Sequence, residues 1–264
     1  VNGAPAPPLA PTVSLLRRCV FTWLFTYFGA YLLYWVYASL DYYIVFFKFK
    51  DQFVPGYEPD RGEIRRAMWT STWSLAVMSV FLVPTEVLVQ LGYSKVYHDA
   101  SDHGILWLLL SPVAFVAFAD TLVYFIHRGL HHRLVYRHIH KLHHSHPEAN
   151  PFAAFASHPV DGYIQGIPYQ LFTFILPFHA SLHLVTLAML GFWTINIHDR
   201  VGWGVPAVNG AAHHNIHHLT YKSNYGQYFT FWDRLLGTYK DPEEFEKAGE
   251  KARREEDVYG KKFL

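Results

Sequence analysis

The sequence predicts an all-α integral membrane bundle, three spans plus a helical hairpin, beneath a His-rich helical cap on the cytosolic side. Three features carry that expectation: long uncharged apolar runs, one such run too long for a single crossing, and an uneven spread of Lys and Arg between them. The 264 residues are 51% hydrophobic, 18% aromatic and only 16% charged, the opposite of the balance that keeps a chain disordered. Lys and Arg number 22 against 21 Asp and Glu, so no global basic field for nucleic acid exists. A single cysteine, Cys19, excludes an intramolecular disulfide framework and a cysteine-rich metal site.

Residues 1–13 read as a Pro- and Ala-rich lead. Cys19 to Leu40 carries no charge over 22 residues, enough to cross a hydrocarbon core of about 30 Å. Met68 to Thr85 is uncharged again, and its apolar character continues past Glu86 to Tyr93. The third span runs from Ile105 to Ile126, interrupted only by Asp120. Gly162 to His198 then gives 37 residues without Asp, Glu, Lys or Arg. One crossing needs about 20 residues, so this run supplies two short helices with a turn near Pro177–Ser181. A hairpin returns the chain to the side it left, which keeps the histidines before 161 and after 198 on one face. Lys and Arg number 2 before the first span, 5 in 42–67, 1 in 94–104, 4 in 127–161 and 10 after 198. Alternating sides puts the rich segments in the cytosol. The tail ends Lys261-Lys262-Phe263-Leu264, which looks like a dilysine signal for the endoplasmic reticulum and agrees with a cytosolic C-terminus. The expected division is 1–110 for the lead and first spans, 111–241 for a catalytic domain and 242–264 for a charged tail.

Histidine is the outlier: 18 copies, 16 of them between His127 and His218. His127 and His131 stand four apart at the end of the third span, so both imidazoles leave one helix face, which Asp120 and Tyr124 extend backwards. His140, His143 and His144 form an H-x-x-H-H triplet whose i+3 and i+4 relations put three imidazoles on one stripe, and His214, His217 and His218 repeat it. Two triplets and a pair, each beside an apolar span, point to metal binding. Eight imidazoles exceed what one ion can use, and nitrogen-rich ligation with open positions suits two irons that activate oxygen. The absence of H-E-x-x-H argues against a zinc protease.

These boxes resemble the fatty acid hydroxylase superfamily of membrane di-iron enzymes, over roughly Ser111 to Asp241. Within it the likeness is closest to sterol C-5 desaturases of the lathosterol-oxidase type. It is carried by His127–His132, by Ser157-His158-Pro159-Val160-Asp161-Gly162, by Trp193–Asp199 and by Asn209–His218, and completed by Asn224–Tyr228 with Trp232-Asp233-Arg234. Hydroxylases of ceramide fatty acids carry H-x3-H ahead of the third box. Here Thr194 stands at the earlier position and only His198 remains, which fits the sterol branch.

The resemblance implies nine metal ligands: His127, His131, His140, His143, His144, His198, His214, His217 and His218. It implies O2-dependent formation of the C5=C6 double bond in a Δ7-sterol taken from the bilayer. Two iron ions would be the cofactors, with zinc able to occupy the same imidazoles in a purified sample. Electrons would come from cytochrome b5 and its NADH-dependent reductase. No catalytic residue beyond the ligands is expected. Asp120, His158, Asp199, His213 and Asp233 are candidates to hydrogen-bond a ligand imidazole, because a metal-bound histidine gives its other N–H to an acceptor. Asp161 is expected as a helix-end carboxylate in the interface, His146 as a loop residue, His132 and His138 as bystanders, and His179 and His183 at the hairpin tip. Other readings stay open: a hydroxylase of the same superfamily acting on a fatty acyl chain or 4-methyl sterol, and a metal carrier without oxygen chemistry. A transporter would place its ligating groups near the midplane, not at span ends.

Overall fold

The computed structural model describes residues 14–146, 149–202 and 204–249. The lead and the Lys261–Leu264 signal lie outside them. α1 (Leu15–Tyr42) starts on Ser14, whose hydroxyl accepts the Arg17 N–H, and runs into a π-helical turn at Tyr43–Lys48. A short α2 (Lys50–Phe53) leads to α3 (Arg61–Gln90). Asp60 caps α3 by accepting the N–H groups of Gly62 and Glu63 at 2.7 and 3.2 Å. The helix therefore begins seven residues before the uncharged run at Met68. Its charged first turns stand above the span and bring Glu63 to the histidines.

β1 (Val96–Tyr97) precedes α4 (Gly104–Leu130), the third span. Two single turns follow, α5 (Arg133–Tyr136) and α6 (Lys141–His144), then a 3₁₀ turn at Pro151–Ala153. α7 (Pro159–Ile175) and α8 (Ala180–Asn196) form the expected hairpin around β2 (Phe178–His179). At 17 residues each they are about 25 Å long, close to the hydrocarbon thickness. α9 (Ala211–Thr220) and α10 (Phe231–Leu235) complete the cap.

Among the described residues, three helices are long and apolar enough to cross a membrane: Leu15–Lys48, Arg61–Gln90 and Gly104–Leu130. Their large apolar side chains remain exposed, as with Phe25 at 80% and Trp69 at 70%, because lipid is their solvent. The protein is an all-α membrane bundle. β1 and β2 pair in parallel, Val96 with Phe178 and Tyr97 with His179. Lys95 reinforces this join, its N–H donating to Thr173 O and its ammonium to Ile175 O. The hairpin tip therefore lies with the α3–α4 loop at the end of the bundle far from the histidines.

The layer under the histidines is fixed by buried hydroxyls. Tyr34 of α1 and Ser71 of α3 both donate to Phe152 O, at 3.0 and 2.8 Å, and Ser74 donates to Ser157 O at 2.8 Å. These bonds hold segment 150–157 against α1 and α3. Phe152, Ala153 and Ala156 pack there with Tyr34, Leu75 and Ile195.

Candidate metal centre

The α4 terminus presents His127 and His131, the turn around α6 presents His140, His143 and His144, the end of α8 runs into His198, and α9 presents His214, His217 and His218. Their imidazoles fall into two adjoining groups. His127, His131, His140, His144 and His217 form one, and His143, His198, His214 and His218 the other, with candidate ligand atoms within 4.8 Å of one another in each. The rings of His144 and His218 meet at 4.6 Å between centroids, so the groups touch.

The triplets divide in an instructive way. In the second box His140 and His144, four apart, stay together while His143 crosses to the other group. In the third box His214 and His218 stay together while His217 crosses. The single stripe expected of each triplet is thereby corrected. Residues three and four apart flank the stripe on opposite sides, and with another group on each side the triplet serves both. In the second box only α6 is helical, a single turn, with His140 as its cap.

Four rings are anchored through Nδ1. His127 donates to Tyr225 O at 3.0 Å, His198 to Thr194 O at 2.7 Å, His217 to Ser223 O at 2.8 Å and His140 to the Asp161 carboxylate at 2.7 Å. A carbonyl or carboxylate can only accept, so each of these rings carries its proton on Nδ1 and a bare lone pair on Nε2. Those lone pairs converge. His217 Nε2 lies 3.1 Å from His131 Nε2 and 3.2 Å from His144 Nε2, which is itself 3.2 Å from His140 Nε2. His198 Nε2 lies 3.1 Å from His214 Nε2, which is 3.1 Å from His218 Nε2. His127 Nε2 is buried without a hydrogen-bond partner. There are more acceptors than protons to share, and a buried acceptor without a donor costs about 1–3 kcal/mol.

A proton is a poor remedy. Burial and then the neighbouring histidines hold His143, His214, His217 and His218 well below the ordinary imidazole range. Burial pushes His131 down to about 3 and His198 to about 4. Neutral imidazoles with converging bare nitrogens are the donor set of a transition-metal site. The residues present therefore fit metal ions.

The fatty acid hydroxylase family model matches residues 112–238. The chain is 40% identical over 252 residues to lathosterol oxidase of Rattus norvegicus, covering 92% of this chain and 82% of that protein. It is 39% identical to lathosterol oxidase of Homo sapiens over the same shares. It is also 37% identical over 232 residues to a Δ7-sterol 5(6)-desaturase of Schizosaccharomyces pombe, covering 88% and 76%. The chain belongs to the sterol C-5 desaturases of the fatty acid hydroxylase superfamily. No solved structure matches it at a significant level.

In this sterol desaturase family member the other expected site residues act at one remove. Asp120 accepts the backbone N–H groups of Tyr228 and Phe229 at 2.7 and 3.2 Å. Asp233 accepts those of Tyr225 and Gly226 at 2.9 and 2.8 Å and the Thr238 hydroxyl at 2.7 Å. Both carboxylates bind the loop that supplies the carbonyl for His127, correcting the expectation that they meet an imidazole. Asp199 accepts the Val201 N–H at 2.6 Å and the Asn196 amide at 2.8 Å, while its carbonyl accepts from Asn215 of α9. Burial and the Asp41 carboxyl push Asp199 up to about 8. His158 caps α7, its Nδ1 accepting the Val160 N–H. His213 Nε2 meets the Tyr239 hydroxyl at 3.4 Å. His179 and His183 sit at the hairpin tip, away from the nine.

Sequence reasoning missed two acids. Asp161 is fully buried and orients His140, with Gln165 on its other oxygen at 2.8 Å. Its place in the first turn after Pro159 was the available signal, and it did not say which way the carboxylate faces. Glu63 is bound to Arg66 and to buried His146, whose Nδ1 lies 2.7 Å from it. Arg66 also donates to Ser145 O, so α3 clamps the chain just after the second box. Where hydroxylases carry a further histidine, the Thr194 carbonyl accepts from His198 Nδ1 and its hydroxyl accepts from the Gln227 amide.

Proposed function

We propose that this protein is a Δ7-sterol C-5(6) desaturase, with its nine clustered histidines as ligands to two iron ions. The observation that carries the reading is the convergence of bare Nε2 atoms in two touching groups at one membrane end, in a chain similar over most of its length to lathosterol oxidases and Δ7-sterol 5(6)-desaturases. Irons held there would supply the O2 activation and C–H abstraction that side-chain acid–base chemistry cannot.

The chain's own residues prepare the site. Carbonyls of Thr194, Ser223 and Tyr225 and the Asp161 carboxylate keep the proton on Nδ1 of four rings and turn Nε2 inward. Burial excludes bulk water from most of the cluster. The overall balance takes two hydrogens from the sterol, at C-5 and C-6. O2 combines them with two electrons and two protons to leave two waters. The electrons come from cytochrome b5 and its reductase. Lys and Arg, richest in the segments on the histidine side, support a cytosolic site in an endoplasmic-reticulum membrane.

The test is to load purified protein anaerobically with Fe(II), admit O2 with reductant and a Δ7-sterol, and follow the ultraviolet absorption of a 5,7-diene. His143→Ala and His217→Ala, one from each group, should each abolish the signal in protein that remains folded in membranes. A product with an inserted oxygen would overturn desaturation in favour of a hydroxylase. Full activity in either variant would overturn the ligand assignment.

A further inference from the structure

A cavity of about 930 Å³ lies inside the bundle between α1, α3, α7 and α8. Its walls are apolar for most of its length, and it is within the size range of small-ligand pockets. Along α8 it extends from His183 to Ile195, twelve residues or about 18 Å of helix axis. At the histidine end it is lined by Tyr34, Phe155 and Ile195. The Ile195 carbonyl accepts the His198 N–H at 3.1 Å, so the cavity ends within a helical turn of the metal centre. At the far end it is lined by polar groups, Glu86, Gln170 and His183, beside the Gln90–Thr22 hydrogen bond.

We propose that this cavity is a slot for the hydrocarbon tail of the sterol, which enters tail-first with its hydroxyl-bearing ring left at the histidines. The proposal rests on the desaturase reading for which end of the sterol reacts. In a Δ7-sterol the carbons that lose hydrogen lie a few bonds from the hydroxyl-bearing carbon. Seating that hydroxyl on the polar floor would leave the reacting ring most of the cavity's length from the metal centre. Only the reverse orientation brings ring and histidines together, and the branched tail then fills the apolar length. The floor acts as a stop: a hydrocarbon tail gains nothing by reaching buried polar groups and loses their hydrogen bonding if it displaces it.

Two glycines on neighbouring lining helices leave open space at the wall. Gly29 of α1 and Gly191 of α8 both line the cavity, and a Cβ at either would meet nothing within 4 Å. Neither is needed for close helix packing or for a positive φ. A larger side chain at these positions would project into the slot and leave the bundle intact.

The experiment compares wild type with Gly191→Leu and Gly29→Leu, using the whole protein in nanodiscs. Binding to the metal-free protein is measured for a full-length Δ7-sterol and for its analogue without a side chain. Each variant should weaken the full-length sterol by about tenfold or more, the scale of one misfitting group in an apolar pocket, and leave the tail-less analogue within about twofold. Thermal unfolding of each variant should match wild type, and two sites on two helices guard against one misfolded variant. Equal loss of both sterols, or unchanged binding of the full-length one, would overturn the slot. Formation of the 5,7-diene by iron-loaded wild type is scored separately. Its absence would sink the desaturase reading, while the binding comparison alone decides the slot.

Discussion

His140 shows how one side chain is set for metal. Its ring is fully buried, and Asp161, equally buried, accepts the hydrogen bond of its Nδ1 N–H at 2.7 Å. Asp161→Asn should lower metal affinity by about 10–100-fold, the usual cost of losing such a partner, in a chelator competition; unchanged affinity would contradict the role. The histidines also make a prediction about pH. His131 and His198, held at about 3 and 4, resist a proton that the unfolded chain accepts near 6.5. Their contribution is complete above pH 6.5 and is lost as pH falls toward 4, at about 1.4 kcal/mol per pH unit for each such ring. Asp199 works in the opposite sense. Its folded pKa of about 8 lies above the unfolded value, so its contribution declines as pH rises from about 4 to 8. Stability of the metal-free protein in detergent should therefore peak near pH 6.5 and fall on both sides, more steeply on the acid side where the histidines outnumber it. A flat unfolding profile from pH 5 to 8 would refute this. Eight of the nine histidines were legible from spacing, because i, i+3 and i+4 relations within a box keep them close, and His198 was legible from the resemblance. Asp161 was not: whether a helix-start carboxylate meets a ring 21 residues away depends on where α7 lies.

At the scale of elements, the 224–230 loop does most to shape the site after the helices. Asp120, Asp233 and Asn209 all bind its backbone, and its Tyr225 carbonyl turns His127 inward across 98 residues of sequence. Gly226 lies where that loop is tightest: a Cβ there would strike the Phe229 carbonyl and crowd the Asp233 carboxylate. Gly226→Ala should destabilise the protein by about 2 kcal/mol or more, read by thermal unfolding, and loosen metal binding with it. A variant as stable as wild type would show that the loop relaxes freely. The sequence marked this segment through its likeness to a family but could not say what it does, since its partners are distant in the chain. The division of each H-x-x-H-H triplet was hidden for the same reason. Periodicity fixes which residues share a helix face, and the neighbouring helices decide which site each one serves.

At the scale of the whole molecule, the hairpin was the most legible feature, because 37 uncharged residues are too many for one crossing and the histidines had to return to one face. The structure adds that the tip docks on the α3–α4 loop. Single cysteines at Ser101 and Ser181 should therefore react with an impermeant thiol reagent from the side opposite to cysteines at Ser145 and Lys222, all four positions being exposed. Labelling of Ser181→Cys from the Ser145 side would break the topology. The two-residue β1–β2 ladder had no sequence signal, since strands so short show no alternation. Its consequence lies in biogenesis. Val96 and Tyr97 precede Phe178 by some eighty residues, so their edge would wait for its partner until the hairpin is in place. Closure of that ladder, with Trp107 donating to Pro177 O and His179 to His98 O, would then hold the hairpin in place. His198, His214, His217 and His218 follow the ladder in the chain, so assembly would close the far face first and complete the metal centre last.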